Sequence, residues 1–257
     1  MPPPFVETGR RWTRELRGWA GVARSVRVYR LDQTHARRLR GLYREFVREG
    51  GLAFDVGAHV GDRIAAFRAL GARVVAVEPQ ARLHRVLRLL HGRDPGVVLL
   101  RAAAAAAPGE VRLRLNPRNP SVATLSNAFL AAAAQAPGWE GQRWEGAEAA
   151  PAVTLDRLIA AHGPPDFIKL DVEGWEAEAL AGLTRPPPAL SFEVVTAARG
   201  AGLAALERAR ALGYARFRLS LGESAAWESG WEEAAATRAR LEALPASANS
   251  GDVYARL

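Results

Sequence analysis

The chain has 257 residues, a formal net charge of +8 from 35 Lys and Arg against 27 Asp and Glu, and no cysteine, which excludes disulfides and thiolate metal sites. No run of about 18 strongly apolar residues exists and the N-terminal MPPPFVETGRRWTRELRGW lacks an apolar signal segment, so neither a membrane span nor secretion is expected, and a cytoplasmic location is. The basic balance comes from a chain-wide use of arginine, with Lys169 the sole lysine, rather than from a patch, so nucleic acid is not the expected partner.

Residues 1–33 read as an N-terminal helical extension. A helix over Glu7 to Ala23 would put Trp12, Glu15 and Trp19 on one face, a packing surface or a contact for a partner subunit. The main domain is expected over 34–257. It opens with a helix from Thr34 to Glu49, capped by Thr34, with Leu39, Leu42, Tyr43, Phe46 and Val47 at helical spacing. Gly50-Gly51 ends that helix. A strand over Leu52 to Asp55, a helix over Asp62 to Leu70, a strand over Arg73 to Val77, a helix over Ala81 to His91 and a strand over Val97 to Leu100 follow. Three β-α repeats call for a parallel sheet with helices on both faces.

Glu110 to Leu115 then alternates like a half-exposed strand, and Asn116 to Ala150 has no sustained period; it is expected as an irregular insertion over the sheet edge or the binding site. Order resumes with a helix at Thr154 to Ala161, a strand at Asp166 to Asp171, a helix at Gly174 to Leu183 and a strand at Leu190 to Val195. A helix at Ala201 to Leu212, an alternating strand at Tyr214 to Ser220, an irregular Glu223 to Ser250 and a last strand from Asp252 complete the chain.

The chemistry is concentrated at the ends of the parallel strands. FDVGAHVGD, Phe54 to Asp62, is strand, glycine turn, helix, the order that brings backbone N–H groups up to a nucleotide-like ligand. Glu78, at the end of the next strand, stands where a carboxylate can hold both ribose hydroxyls. The turn Gly57-Ala58-His59-Val60-Gly61 does not fit the G-x-G-x-x-G of dinucleotide sites, which favours S-adenosylmethionine over NAD. In DFIKLDVEGWE, Asp166 to Glu176, Lys169 and Asp171 share a strand face, and a lysine inside a central strand needs a partner: Asp171, Asp55 or Glu193. Asp171, Glu173 and Glu193 near one sheet edge are candidates for acid/base work or acceptor orientation. The plainer reading of each group is an ordinary β-α turn, a surface glutamate at a helix start and a structural ion pair; Lys169 is read as structural. No Cys- or His-rich ligand spacing is present, so no metal site is expected, although a carboxylate cluster could take Mg²⁺.

These residues carry a resemblance. FDVGAHVGD, AVEPQ, VTLDRLI, FIKLDVEGWE and LSFEV resemble the FkbM family of S-adenosylmethionine-dependent methyltransferases, from about Thr34 to Val195, with a weaker echo in SGDVYARL at the end. KLDVEGWE is the most specific element. The resemblance implies a Rossmann-like class I methyltransferase fold, with a mostly parallel seven-stranded sheet, an antiparallel last strand and helices on both faces. It implies that Asp55, Gly57, Ala58 and Gly61 cradle the methionine part of the cofactor, that Glu78 holds the ribose, and that a methyl group goes to a hydroxyl on a sugar or natural-product scaffold. His59 stands where the family has Asn; it could bond the cofactor carboxylate, act as the base, or be a loop residue. The base is expected to be Asp171 or Glu173, with Glu193 orienting. Alternatives are an RNA methyltransferase, although DVEGW stands where base-amine methylation uses an Asn/Asp-Pro-Pro-aromatic turn, and a cofactor-binding protein without catalysis.

Overall fold

The computed structural model describes residues 18–257. Trp12 and Glu15, and so the face they would share with Trp19, lie outside these residues. Residues 18–25 are helical, and a π turn, Val26–Arg30, follows. Trp19 is 40% exposed and carries the Arg82 guanidinium over its ring at 5.7 Å.

Helix α1 spans Gln33–Tyr43. Its cap is Asp32 rather than Thr34: the Asp32 carboxylate accepts the N–H groups of Thr34 at 2.7 Å and His35 at 3.1 Å, the charge-assisted form of an N-cap. It stops short of Glu49, and Phe46 beyond it stacks on Phe167 and Tyr254 at 5.0 and 5.3 Å. The chain then runs β1 (Leu52–Val56), α2 (Asp62–Ala69), β2 (Arg73–Val77), α3 (Ala81–His91), β3 (Val97–Leu100), β4 (Ala103–Ala104) and β5 (Gly109–Leu115). It continues through α4 (Asn127–Ala133), β6 (Gly146–Val153), α5 (Leu155–His162), β7 (Phe167–Leu170), α6 (Glu176–Ala181) and β8 (Ala189–Val195). Helix α7 (Arg199–Ala211), β9 (Arg216–Leu221), α8 (Ala234–Ala243) and β10 (Ser250–Arg256) end it.

Seven strands form one sheet in the order β3-β2-β1-β7-β8-β10-β9. All neighbours are parallel except β10, which runs antiparallel to both β8 and β9. This is the Rossmann-like class I methyltransferase fold. Alternation sorts the core between two faces. Phe54, Val56, Ile168, Leu170 and Phe192 point to one side, against Leu155, Leu180 and Leu206 of α5, α6 and α7. Ala53, Val74, Ala76 and Phe167 point to the other, against Leu39, Tyr43, Ile64 and Phe67 of α1 and α2. Burial on both faces explains why β1 and β7 have no exposed position. Among the described residues no helix is long and apolar enough to cross a membrane.

Two stretches expected to be irregular are not. Residues 116–150 contain α4 and the first part of β6, and β6 pairs antiparallel with β5 and parallel with β4 in a second, three-stranded sheet. Residues 223–250 contain α8, which buries Leu241 and Thr237.

Candidate active site

A cavity of about 790 Å³ opens over the C-terminal ends of β1, β2 and β7. Its floor is Gly57, Ala58 and His59 after β1, Glu78 after β2, Asp171 and Glu173 after β7, and Glu193 on β8. Val56, Val77, Ala102, Ala103 and Leu113 make an apolar wall, and Asn119, Ser121, Trp139 and Gln142 come from the segment between β5 and β6. Ser25, Val28 and Tyr29 reach in from the N-terminal helical turns, and Arg63 and Glu223 from the opposite rim.

Close packing forces the turn after β1. Gly57 has φ +84°, and a Cβ there would lie 1.8 Å from the Asp171 carbonyl oxygen, so only glycine lets β1 and β7 end this close together. The Gly57 and Ala58 N–H groups donate to the Val77 carbonyl at 2.9 and 3.1 Å. The His59 N–H donates to Glu78 Oε2 at 2.9 Å and the Gln80 N–H to Glu78 Oε1 at 2.8 Å, so Glu78 ties the turn to β2. Burial pushes the Glu78 carboxyl up to about 8 against these two N–H donors. Each of its oxygens keeps a lone pair beyond the one used.

Two residues expected at the cofactor do not border the cavity. Asp55 is 1% exposed beneath the turn, in register with Lys169 on the neighbouring strand. Burial pushes it up to about 7, opposed by Lys169, and neither carboxyl oxygen has a partner in the protein. Gly61 faces α3: a Cβ there would meet Leu87 Cδ2 at 2.8 Å and His91 Nε2 at 2.9 Å. Strand alternation sends Asp55 into the sheet face, and the helix start turns Gly61 away, so both support the turn from behind.

His59 borders the cavity with φ +49° and its Nε2 buried without a partner. Burial pushes the imidazole down to about 4, so it is neutral at physiological pH. The Tyr29 ring meets it edge-on at 5.5 Å.

The acids expected to act together do meet. One oxygen from each of Asp171, Glu173 and Glu193 lies within 4.8 Å of the others. Lys169, 1% exposed, gives its Nζ to Asp171 Oδ2, the partner expected for a lysine in a central strand. Burial would raise the Asp171 carboxyl, but Lys169 and Arg63 hold it below the usual range. Glu173 is raised by burial and by Asp171, and Glu193 by burial, Asp171 and Glu173. Asp171 therefore carries the charge, and the two raised glutamates beside it favour their protonated forms. Glu173 Oε2 and Glu193 Oε2 are buried without partners.

Sequence reasoning missed the rim. Asp62 bonds His35 Nε2 at 3.0 Å and pairs with Arg63, whose other nitrogen reaches Glu223 at 3.0 Å. Burial would raise Asp62, but Arg63 and the His35 hydrogen bond hold it well below the carboxylate range. In the sequence Asp62 is only the last residue of the glycine motif, and nothing in sequence spacing links it to Glu223.

Residues 55–197 match the methyltransferase FkbM domain, more than half of the chain. No curated protein matches the chain. Three solved structures are similar to it. A precorrin-6y C5,15-methyltransferase from Geobacter metallireducens is 15% identical, with 88% of each chain covered and a TM-score of 0.44. An S-adenosylmethionine-dependent O-methyltransferase from Thermotoga maritima is 11% identical, covering 88% of this chain and 65% of that one, with a TM-score of 0.45. A putative RNA methyltransferase from Pyrococcus horikoshii is 10% identical, covering 89% and 85%, with a TM-score of 0.44. The domain match decides the assignment: the chain belongs to the FkbM family of methyltransferases, and S-adenosylmethionine is the cofactor. The cavity suits it, with an apolar wall for an adenine, a carboxylate at the end of β2, and unpartnered His59, Glu173 and Glu193 atoms around the rest.

Proposed function

We propose that this methyltransferase methylates a hydroxyl on a sugar or natural-product-like small molecule. The cluster of Asp171, Glu173 and Glu193 in the cavity carries the reading, because a hydroxyl must lose its proton on methylation and a cluster of this kind can take it. S-adenosylmethionine supplies an activated, electrophilic methyl group. The protein's own share is to bind, align and dry the reactants, and alignment accounts for much of the acceleration.

In this reading Gly57, Ala58 and His59 border the methionine part, with Asp55 and Gly61 holding the turn from below, and Glu78 accepts the ribose hydroxyls on its free lone pairs. Glu78→Ala should weaken S-adenosylhomocysteine binding by about 1–3 kcal/mol, the worth of two hydrogen bonds to the ribose hydroxyls. Calorimetry giving equal affinity for both proteins would remove Glu78 from the ribose site. The acceptor hydroxyl passes its proton to Asp171, the member of the cluster held as a carboxylate. Glu193 keeps a proton and donates it to Asp171, orienting the base, and Glu173 closes the other side of the acceptor hydroxyl.

The test is labelled-methyl transfer from S-adenosylmethionine to a panel of glycosides, hydroxylated macrolides and phenols, with total RNA as a separate arm. Label in a base-stable methyl ether is the expected result. Label in RNA, or in no hydroxyl compound, would overturn the reading; binding of S-adenosylhomocysteine without transfer to any arm would favour a protein that keeps the cofactor without catalysis.

A further inference from the structure

The segment between β5 and β6 does more than wall the cavity. Thr124, with no exposed surface, donates its hydroxyl to the Glu173 carbonyl at 2.7 Å. Its own place is fixed from two sides. Its backbone exchanges hydrogen bonds with Arg114 on β5, at 2.8 and 3.1 Å. Its Oγ1 accepts the Ser126 N–H at 2.9 Å, and Ser126 Oγ caps α4 by accepting the Phe129 N–H at 3.0 Å. Phe129 then lies on the turn it serves: a Cβ on Gly174 would meet the Phe129 side chain at 2.9 and 3.0 Å.

The Glu173–Gly174 turn needs such support. Glu173 has φ +54° and Gly174 φ +84°. A left-handed conformation at a residue other than glycine is costly and persists where its surroundings fix it. This backbone pair turns the chain after β7, with the Glu173 carboxyl at the cluster with Asp171 and Glu193.

We infer that Thr124 is a positioning residue for Glu173: its buried hydroxyl and the Phe129 ring clamp the Glu173–Gly174 turn, so that the segment carrying Trp139 and Asn119 and the acid facing the acceptor move as one body. This rests on the role given above to Glu173 in the acid cluster. A change of acceptor wall in this segment would then change the acid's position as well.

The readout is the side-chain carboxyl carbon resonance of Glu173 in protein labelled at glutamate, assigned by its loss in Glu173→Gln. Thr124→Val removes the hydroxyl and keeps the shape. It should shift that resonance while leaving S-adenosylhomocysteine affinity intact, and Thr124→Ser should restore it. If Thr124→Val does not fold, Phe129→Leu reads the same clamp through Gly174. A Glu173 resonance unmoved by either variant, or unrestored by Thr124→Ser, overturns the inference. With an acceptor from the panel above, Thr124→Val should lower turnover by about 10- to 100-fold, with acceptor KM little changed and no further loss on the Glu173→Gln background. Losses that simply multiply would mark a structural role only. Full turnover by Glu173→Gln would instead sink the role of Glu173 itself, whatever its resonance does.

Discussion

Replacing Asp171 by Asn is expected to cut methyl transfer by about 10²- to 10⁴-fold, the usual worth of a positioned general base, while S-adenosylhomocysteine binds nearly as before. Asn keeps the volume, and its amide oxygen can still accept from Lys169, but it cannot take a proton. The partner variants separate the roles inside the cluster. Glu193→Gln retains an N–H donor toward Asp171 and should keep most of the activity, whereas Glu193→Ala loses the orienting contact and should not. If Asp171→Asn turns over normally, or if Glu193→Gln is as impaired as Asp171→Asn, the base is not Asp171. Single-turnover measurements with labelled cofactor make the comparison independent of product release.

The parts of this site legible in the sequence were those fixed by strand alternation and by strand ends. Lys169 and Asp171 stand two apart, so period 2 puts them on one face and makes Asp171 one of three candidate partners, with Asp55 and Glu193; the structure pairs Lys169 with Asp171. Glu78, Glu173 and Glu193 were placed near one sheet edge because parallel strands end together. The same alternation puts Asp55 on the Ala53 face of the sheet, beneath the glycine turn rather than in the cavity above it. The segment over 116–150 was illegible for another reason. Strand β6 reads GAEAAPAV, poor in β-branched residues and interrupted by Pro151, and it is a strand because β5 lies beside it. Helix α8, AAATRARLEA, has too few large apolar residues to declare a face. Arg63, Tyr29 and Glu223 come together from three distant parts of the chain, and no local spacing announces such a meeting.

The buried charge beneath the cluster sets the largest stability effect. Lys169 lies among three carboxyls: Asp171 just past the end of its own strand, Asp55 on β1 and Asp252 on β10, each held lower by its charge. Lys169→Met fills the space and removes that charge. Stripping one partner from a buried pair costs about 3–5 kcal/mol, and the penalty should depend on pH in a set direction. In the native protein burial already pushes Asp55 up to about 7 and Asp252 up to about 6. A carboxyl raised in the folded state favours folding below its unfolded value, and that advantage is lost as pH rises through the folded one. Without Lys169 all three carboxyls rise further, so the folded variant binds more protons than the native fold does and loses stability faster as pH climbs. At pH 5, where Asp55 and Asp252 hold their protons and Asp171 can take one at small cost, the gap to the native protein should be narrow; at pH 8.5 it should be widest. Urea unfolding of both proteins at the two pH values measures the gap directly, and an equal gap at both, or a wider one at pH 5, would mean that Lys169 does not neutralise this group of acids.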